Sequence, residues 1–152
     1  MYSKPMNATV GYLVWRLSMK WRARVDAAVA PLGLTHALYS VLASLRGMTR
    51  GGHRPTQREM AEHTGLDPIY ISKLARTLEE AGLIERVPDS HDSRAVRLTI
   101  TERGISTIDQ AIGIVSGLLE ELTTPLGGTS SPRTRALMND LEALIQERER
   151  EP

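Results

Sequence analysis

Ser90, His91 and Asp92 stand side by side in PDSHDSRAVRLTITERG, residues 88–104, and they are the residue types of a charge-relay hydrolase. In that chemistry an imidazole takes the hydroxyl proton while a carboxylate orients the ring, so three side chains must converge on one point. Successive residues on one loop do not converge, and no G-x-S-x-G elbow or oxyanion-hole glycine run accompanies them. The stretch is read as non-catalytic, and no catalytic residue is expected in the chain. His91 instead adds a pH-dependent charge or a backbone contact to a loop that already holds Asp89, Asp92 and Arg94. His36, His53 and His63 show no tight metal-ligand spacing with it, so neither a metal nor a cofactor is expected.

Composition narrows the remaining classes. A length of 152 residues suits one domain with helical extensions, and 41% apolar with 24% charged residues is ordinary for a globular protein. Phe is absent, so Leu, Ile, Val, Ala and Met must build the core. The lack of cysteine excludes disulfides, thiolate zinc sites and thiol redox sensing, and it fits a cytoplasmic location. No apolar run approaches the roughly 18 residues of a membrane span, and no signal-peptide pattern opens the chain, so no membrane partner is expected. Net charge is only +1, but residues 1–53 carry seven bases against one acid, while 105–152 carry four bases against eight acids. The two ends have opposite sign and attract each other within or between chains. Residues 54–104 are nearly balanced, eight bases to nine acids, so a nucleic-acid surface there depends on where the bases point.

The elements that position these charges follow from periodicity. Val10, Val14, Leu17, Trp21, Val25, Ala28 and Leu32 recur at helical spacing and predict one long helix over 8–32, stopped near Pro31-Leu32-Gly33. A second helix is predicted over 35–45, breaking into a flexible loop at 47–52, with shorter helices near 56–63 and 68–81. Val96, Leu98 and Ile100 alternate with Arg97 and Thr99, which predicts a strand paired with 84–87 across a loop at 88–95. Ile105, Ile108, Ile112, Val115, Leu119 and Leu122 mark a long helix capped by Thr101. After a break at 127–132, a last helix is predicted over 133–149. The class is mainly α with a small β-hairpin.

Residues 55–86, PTQREMAEHTGLDPIYISKLARTLEEAGLIER, hold the most information. Thr56 and Glu59 have the spacing of a capping box, Gly65 falls at a tight turn, Asp67 caps the next helix and Pro68 fits its first turn. Ala61, Gly65 and Ile71, flanked by Met60, Leu66 and Leu74, have helix-turn-helix spacing, and only Thr64 replaces a usual apolar residue. Burial along 71, 74, 75 and 78 turns Ile69, Tyr70, Lys73, Arg76 and Thr77 outward, with Pro68 and Ser72 at the leading end. That is how a recognition helix meets a major groove, with cations for phosphates or guanine edges and apolar groups for thymine methyls. Thr56 and Gln57, opening the preceding helix, complete the expected DNA-contacting surface. The hairpin that follows makes the unit a winged helix, in which Arg94 can enter a minor groove while Asp92 orients it.

DSRAVRLTITERG (92–104), following SKLARTLEEAGLIER (72–86), closely resembles the MarR family of winged-helix transcription regulators. The resemblance runs over about residues 8–148. Its most specific elements are Asp92 and Arg94 in the wing, with Ile100, Thr101 and Gly104 downstream. It implies a homodimer joined through the first, fifth and sixth helices, with recognition helices in successive major grooves of a pseudo-palindromic operator. Ser72, Lys73 and Thr77 fall where family members contact DNA, although Thr77 replaces a commoner Arg. It further implies a small aromatic or phenolic effector in the cleft beside the DNA-binding lobe, for which Trp15, Met19, His36 and Tyr39 are the expected contacts.

The whole chain, 1–152, is thus read as one domain, with a winged helix-turn-helix lobe over 34–100 and a helical dimerisation region from 7–33 and 101–150. The expected function is a dimeric repressor on double-stranded operator DNA, released by a ligand that prefers a differently spaced conformation. The competing expectation is a winged-helix module that binds protein and has no sequence-specific DNA binding.

Overall fold

Helix α2 (His36–Arg50) organises the protein in the computed structural model, which describes residues 3–4 and 7–146. Four of its side chains, Leu38, Val41, Leu42 and Leu45, are buried at helical spacing, and they give α1 (Val10–Val29), α3 (Gln57–Thr64) and α4 (Pro68–Glu80) a common surface. Strand β2 (Val96–Ile100) also lies on α2 and pairs antiparallel with β1 (Ile84–Pro88), Ile84 opposite Ile100 and Pro88 opposite Val96. Helix α5 (Glu102–Thr123) follows directly, and after a short turn at Thr124–Leu126 the chain forms α6 (Pro132–Gln146). The predicted class, mainly α with a hairpin wing, is the observed one. The predicted last helix extends to 149, and its residues 147–149 lie outside the described part.

Two compact units divide the chain, one ending at Gly113 and the other beginning at Ile114. In the first, the core runs from Val25 and Val29 on α1 through α2 to Ile71, Leu74, Ala75 and Leu78 on α4, all buried. Helix α2 is longer than the sequence suggests. The predicted loop at 47–52 is helical up to Arg50, since Gly47 forfeits only about 1 kcal/mol relative to Ala, and the turn beyond Leu45 is held from outside. Arg46 Nε and Nη2 donate to both carboxylate oxygens of Asp109 at 3.1 and 3.2 Å, and Arg50 Nη2 stands 3.6 Å away. That pairing keeps the Asp109 carboxyl below its usual range, chiefly through the Arg46 hydrogen bond. The real break comes at Gly52, with φ of 79°.

Gly104, in the first turns of α5, marks a close approach of that helix to the hairpin. A Cβ there would lie 2.0 Å from the Leu83 carbonyl oxygen and 2.8 Å from Ile100 Cγ1. Thr101 supports the approach, donating its hydroxyl to the Gly82 carbonyl at 2.7 Å and accepting the Gly104 N–H at 3.0 Å, so it caps α5 as predicted.

In the second unit Ser131 and Thr134 begin α6. Thr134, the one buried polar residue among those described, donates to the Gly128 carbonyl at 2.6 Å, and its N–H donates to Ser131 Oγ at 3.1 Å. Glu120 accepts from the Thr129 hydroxyl and, at 3.2 Å, from its N–H, which holds the Glu120 carboxyl below its ordinary value. Among the described residues no single helix is long and apolar enough to cross a membrane.

Candidate nucleic-acid interface

The turn between α3 and α4 is built as the sequence predicts. Thr56 accepts the Glu59 N–H at 3.1 Å, and Gly65 takes a left-handed φ of 73°. Asp67 Oδ1 accepts the N–H groups of Ile69 at 2.8 Å and Tyr70 at 3.3 Å. The capping box is only half formed, because the Glu59 carboxylate meets His53 Nε2 at 2.6 Å in place of its own helix cap. Thr64, the unexpected polar residue, donates its hydroxyl to the Met60 carbonyl at 2.8 Å and so satisfies itself within the helix.

Helix α4 presents the face expected of it. Ile69 is 71% exposed and Tyr70 42%; Lys73, Arg76 and Thr77 are exposed, and Ser72 is half-buried. The Thr77 hydroxyl is committed to the Lys73 carbonyl at 3.1 Å, which leaves the long cations as the reaching groups on this face. Pro68 stands at the helix start, across an open groove of about 800 Å³ from the wing. Thr56, Gln57, Pro68, Asp92 and Arg94 all line that groove. The structure therefore brings those five predicted residues to one groove, while Ile69, Tyr70, Ser72, Lys73, Arg76 and Thr77 are not among its lining residues.

The wing tip is braced by residues that sequence reasoning does not single out. Asp89 Oδ1 accepts from Arg97 Nε at 2.7 Å, while its other oxygen takes the Asp92 N–H at 3.1 Å. Arg97 also donates to the Arg54 carbonyl, and the Leu98 N–H donates to the Pro55 carbonyl at 2.8 Å. An isolated bridge between Thr56 and Arg97 completes a strap from the wing to the start of α3. The Arg97 hydrogen bond holds the Asp89 carboxyl below its usual range, and Asp89 raises the Arg97 guanidinium in turn. Arg97 is thereby spoken for within the protein. Its signal in the sequence is the hairpin register, which sets 97 diagonally across from 89.

Arg94 behaves differently. Its side chain is 94% exposed, and its Nε lies 3.8 Å from Asp92 Oδ1, too far for a hydrogen bond. Asp92 instead accepts the Arg94 backbone N–H at 3.0 Å and so shapes the tip from which the guanidinium projects. Ser90, His91 and Asp92 are successive tip residues, and Asp92 is engaged with the backbone, an arrangement that serves a turn.

The expected effector contacts are not gathered in one place. His36 lines a cavity of about 230 Å³ with Arg22, Ser40, Thr64, Leu66 and Tyr70. Trp15 and Met19, 56% and 40% exposed on α1, and half-buried Tyr39 are not among its lining residues. Burial, then the nearby Arg22 charge, pushes the His36 imidazole below its ordinary value, against an opposing pull from Asp26. Burial also raises the Tyr39 hydroxyl. Arg22 on the cavity wall is a contact that helix periodicity alone does not single out.

Comparison with known proteins agrees with this geometry. A family model described as MarR family matches residues 32–95. The HTH-type transcriptional regulator YdcH of Bacillus subtilis is 34% identical over 109 residues, 72% of this chain and 74% of that protein. The chain belongs to the MarR family of transcription regulators. Another relative, the HTH-type transcriptional repressor Rv2887 of Mycobacterium tuberculosis, is 30% identical over 125 residues, 78% of this chain and 86% of that protein. The Staphylococcus aureus MepR–DNA complex matches with a TM-score of 0.78 at 21% identity, over 91% of this chain and 96% of that one. This MarR-family chain thus shares the winged-helix fold of a regulator solved on DNA, and its matched residues span α2, the helix-turn-helix, β1 and the wing tip.

Proposed function

We propose that this MarR-family regulator binds a pseudo-palindromic operator as a homodimer and represses transcription. The observation that carries this reading is the pairing of two exposed features across one groove. Pro68 at the start of α4 lies on one side, with Ile69, Tyr70, Lys73 and Arg76 exposed along the helix that follows, and Arg94, almost wholly exposed on a braced wing, lies on the other. Lys73 and Arg76 are placed for phosphates or guanine edges, Ile69 and Tyr70 for thymine methyls, and Arg94 for a minor groove. The likeness to a regulator solved with DNA, and to a relative named as a repressor, supports the same conclusion.

The second copy is supported by apolar surface that this chain leaves open. Val10, Leu13, Val14 and Leu17 on α1 are 42–70% exposed, and Leu137, Leu141, Leu144 and Ile145 on α6 are 38–70% exposed. Stripes of that kind on a water-soluble regulator need a cover, and a C2 partner offers the same stripes in return.

The effector reading is supported by the cavity at His36. Its size suits a single ring, since roughly 150 Å³ already holds a benzene. Arg22 supplies a cation for an acidic group, and Tyr70 places the recognition helix on the same wall, so a ligand there touches the DNA-reading element. Such a ligand releases DNA only to the extent that it binds better to the state with wrongly spaced helices.

Fluorescence anisotropy with duplexes from the gene's own upstream region, at two salt concentrations and against unrelated competitor, tests the reading. Competitor-resistant binding that weakens with salt is expected. Equal, weak binding to both duplexes at both salts would overturn it in favour of a protein-binding winged helix.

A further inference from the structure

Arg86 stands where three parts of the interface meet. It lies on β1 opposite Leu98, with only 21% of its side chain exposed. Its Nε donates to Gln57 Oε1 at 3.1 Å, its backbone N–H donates to Glu79 Oε2 at 3.1 Å, and its Nη1 is 3.8 Å from Glu79 Oε1. Gln57 opens α3, and Glu79 sits in the last turn of α4. One arginine therefore ties the wing strand to both helices of the helix-turn-helix.

The chemistry of that contact is one-sided. A guanidinium carries five N–H donors and no acceptor, so an amide that meets it must offer its oxygen. Gln57 consequently loses the freedom to flip, and its NH₂ is turned away from Arg86. Because Gln57 lines the groove between α4 and the wing, that NH₂ is a donor available to whatever occupies the groove. Toward DNA the orientation matters, since phosphate oxygens only accept. A flipped amide would set oxygen against oxygen.

We propose that Arg86 is a positioning residue for DNA binding, which locks the Gln57 amide with its NH₂ toward a backbone phosphate while Glu79 holds the guanidinium in place. The inference rests on the DNA-binding reading above and deepens it.

A double-mutant cycle on the full-length protein tests it, with the tightest upstream duplex as probe and Kd measured well below each variant's melting temperature. Gln57→Met and Arg86→Met each lose a hydrogen bond to a charged group, so each is expected to weaken binding about tenfold to a hundredfold. The pair together should cost no more than about twofold beyond either alone, because both remove the same contact. Fully additive losses would overturn the proposal. A second readout separates positioning from direct contact. A neutral amide displaces no counterion, so Arg86→Met should keep the wild-type salt slope, whereas a phosphate-binding Arg86 would lower its magnitude by about 1.8, about 0.9 for each protomer. If Arg86→Met melts below the assay temperature, Arg86→Gln takes its place in the cycle, since a glutamine side chain at that position lets the Gln57 amide face either way. Arg94→Ala, run beside these variants, keeps the two conclusions apart. Loss of binding in Arg94→Ala with an additive cycle would sink only the role of Arg86. Wild-type protein that binds no duplex would sink both.

Discussion

Helices α4 and α6 are 13 and 15 residues long, both carry an apolar stripe, and they meet opposite fates. On α4 the stripe Ile71, Leu74, Ala75 and Leu78 is covered by the chain's own elements, and the outer face is cationic. On α6 the stripe Leu137, Leu141, Leu144 and Ile145 is exposed, and only Thr134 is buried. The helix-turn-helix thus covers its own stripe, whereas α6, like the start of α1, presents an uncovered one. That contrast predicts two different failure modes under mutation. Changes in the winged helix should unfold it or blunt its DNA face, and changes on α6 should alter assembly.

The sharpest way to break the self-covered side of this contrast is Gly104→Ala. The added Cβ would stand 2.0 Å from the Leu83 carbonyl oxygen, a backbone atom that cannot swing aside. Overpacking of this severity is expected to cost about 3 kcal/mol or more, seen as a large fall in the melting temperature and loss of the hairpin. A variant that melts like the wild type would show that the approach of α5 to the hairpin is softer than this packing implies.

Charge on the exposed stripes should do the reverse. Leu141→Glu, like Leu119→Glu on α5, is expected to leave the secondary structure intact while weakening self-association at least about a hundredfold. DNA binding should fall with it, because two half-sites need two linked recognition helices. Light scattering across a dilution series measures this directly, and an unchanged dimer in both variants would move the interface elsewhere.

Arg94→Ala probes the DNA face without touching the fold. With 94% of its side chain exposed, the residue adds little to stability, and the melting temperature should hold. Operator affinity should drop roughly tenfold to a hundredfold, from about 1–3 kcal/mol of lost groove contact, with the dimer intact. Unchanged affinity would remove the wing from the minor groove.

The same contrast explains how far the sequence can be read. The helix-turn-helix is legible because local chemistry decides it: Asp67 caps, Pro68 starts, Gly65 turns, and each does so in the structure as its residue type suggests. What is not legible depends on partners distant in sequence. The continuation of α2 through Gly47 is secured by Arg46 and Arg50 on Asp109, more than fifty residues away, and no local propensity announces it. The capping box opens for a similar reason, since His53 draws the Glu59 carboxylate away from the helix end. Likewise Arg86 and Arg97 read as ordinary strand cations until Gln57, Glu79 and Asp89 are seen around them. Trp15 and Met19 do not join His36 at its cavity, because a cavity is a property of packing and has no period.

The smallest effect concerns acid, and its sign differs between groups. His36 is held below its ordinary value of about 6.5, so the folded protein resists a proton that the unfolded chain accepts. Its neutral form costs nothing above pH 6.5. As pH falls through that value stability should decline, and the decline should level off once the folded imidazole also titrates. Asp89, Asp109 and Glu120 are depressed by their partners, so their contribution is full above the ordinary carboxylate range and is lost only as pH falls through their lowered folded values. Melting temperature against pH should therefore show two steps, a shallow one starting near pH 6.5 and a steeper one below about pH 4. His36→Gln is expected to flatten the first and leave the second. If the first step survives that substitution, His36 does not carry it. Because His36 lines the cavity with Arg22, an acidic ligand seated there would favour the imidazolium, so its binding in mild acid should take up a proton, and the loss of that uptake in His36→Gln would tie the ligand to this wall.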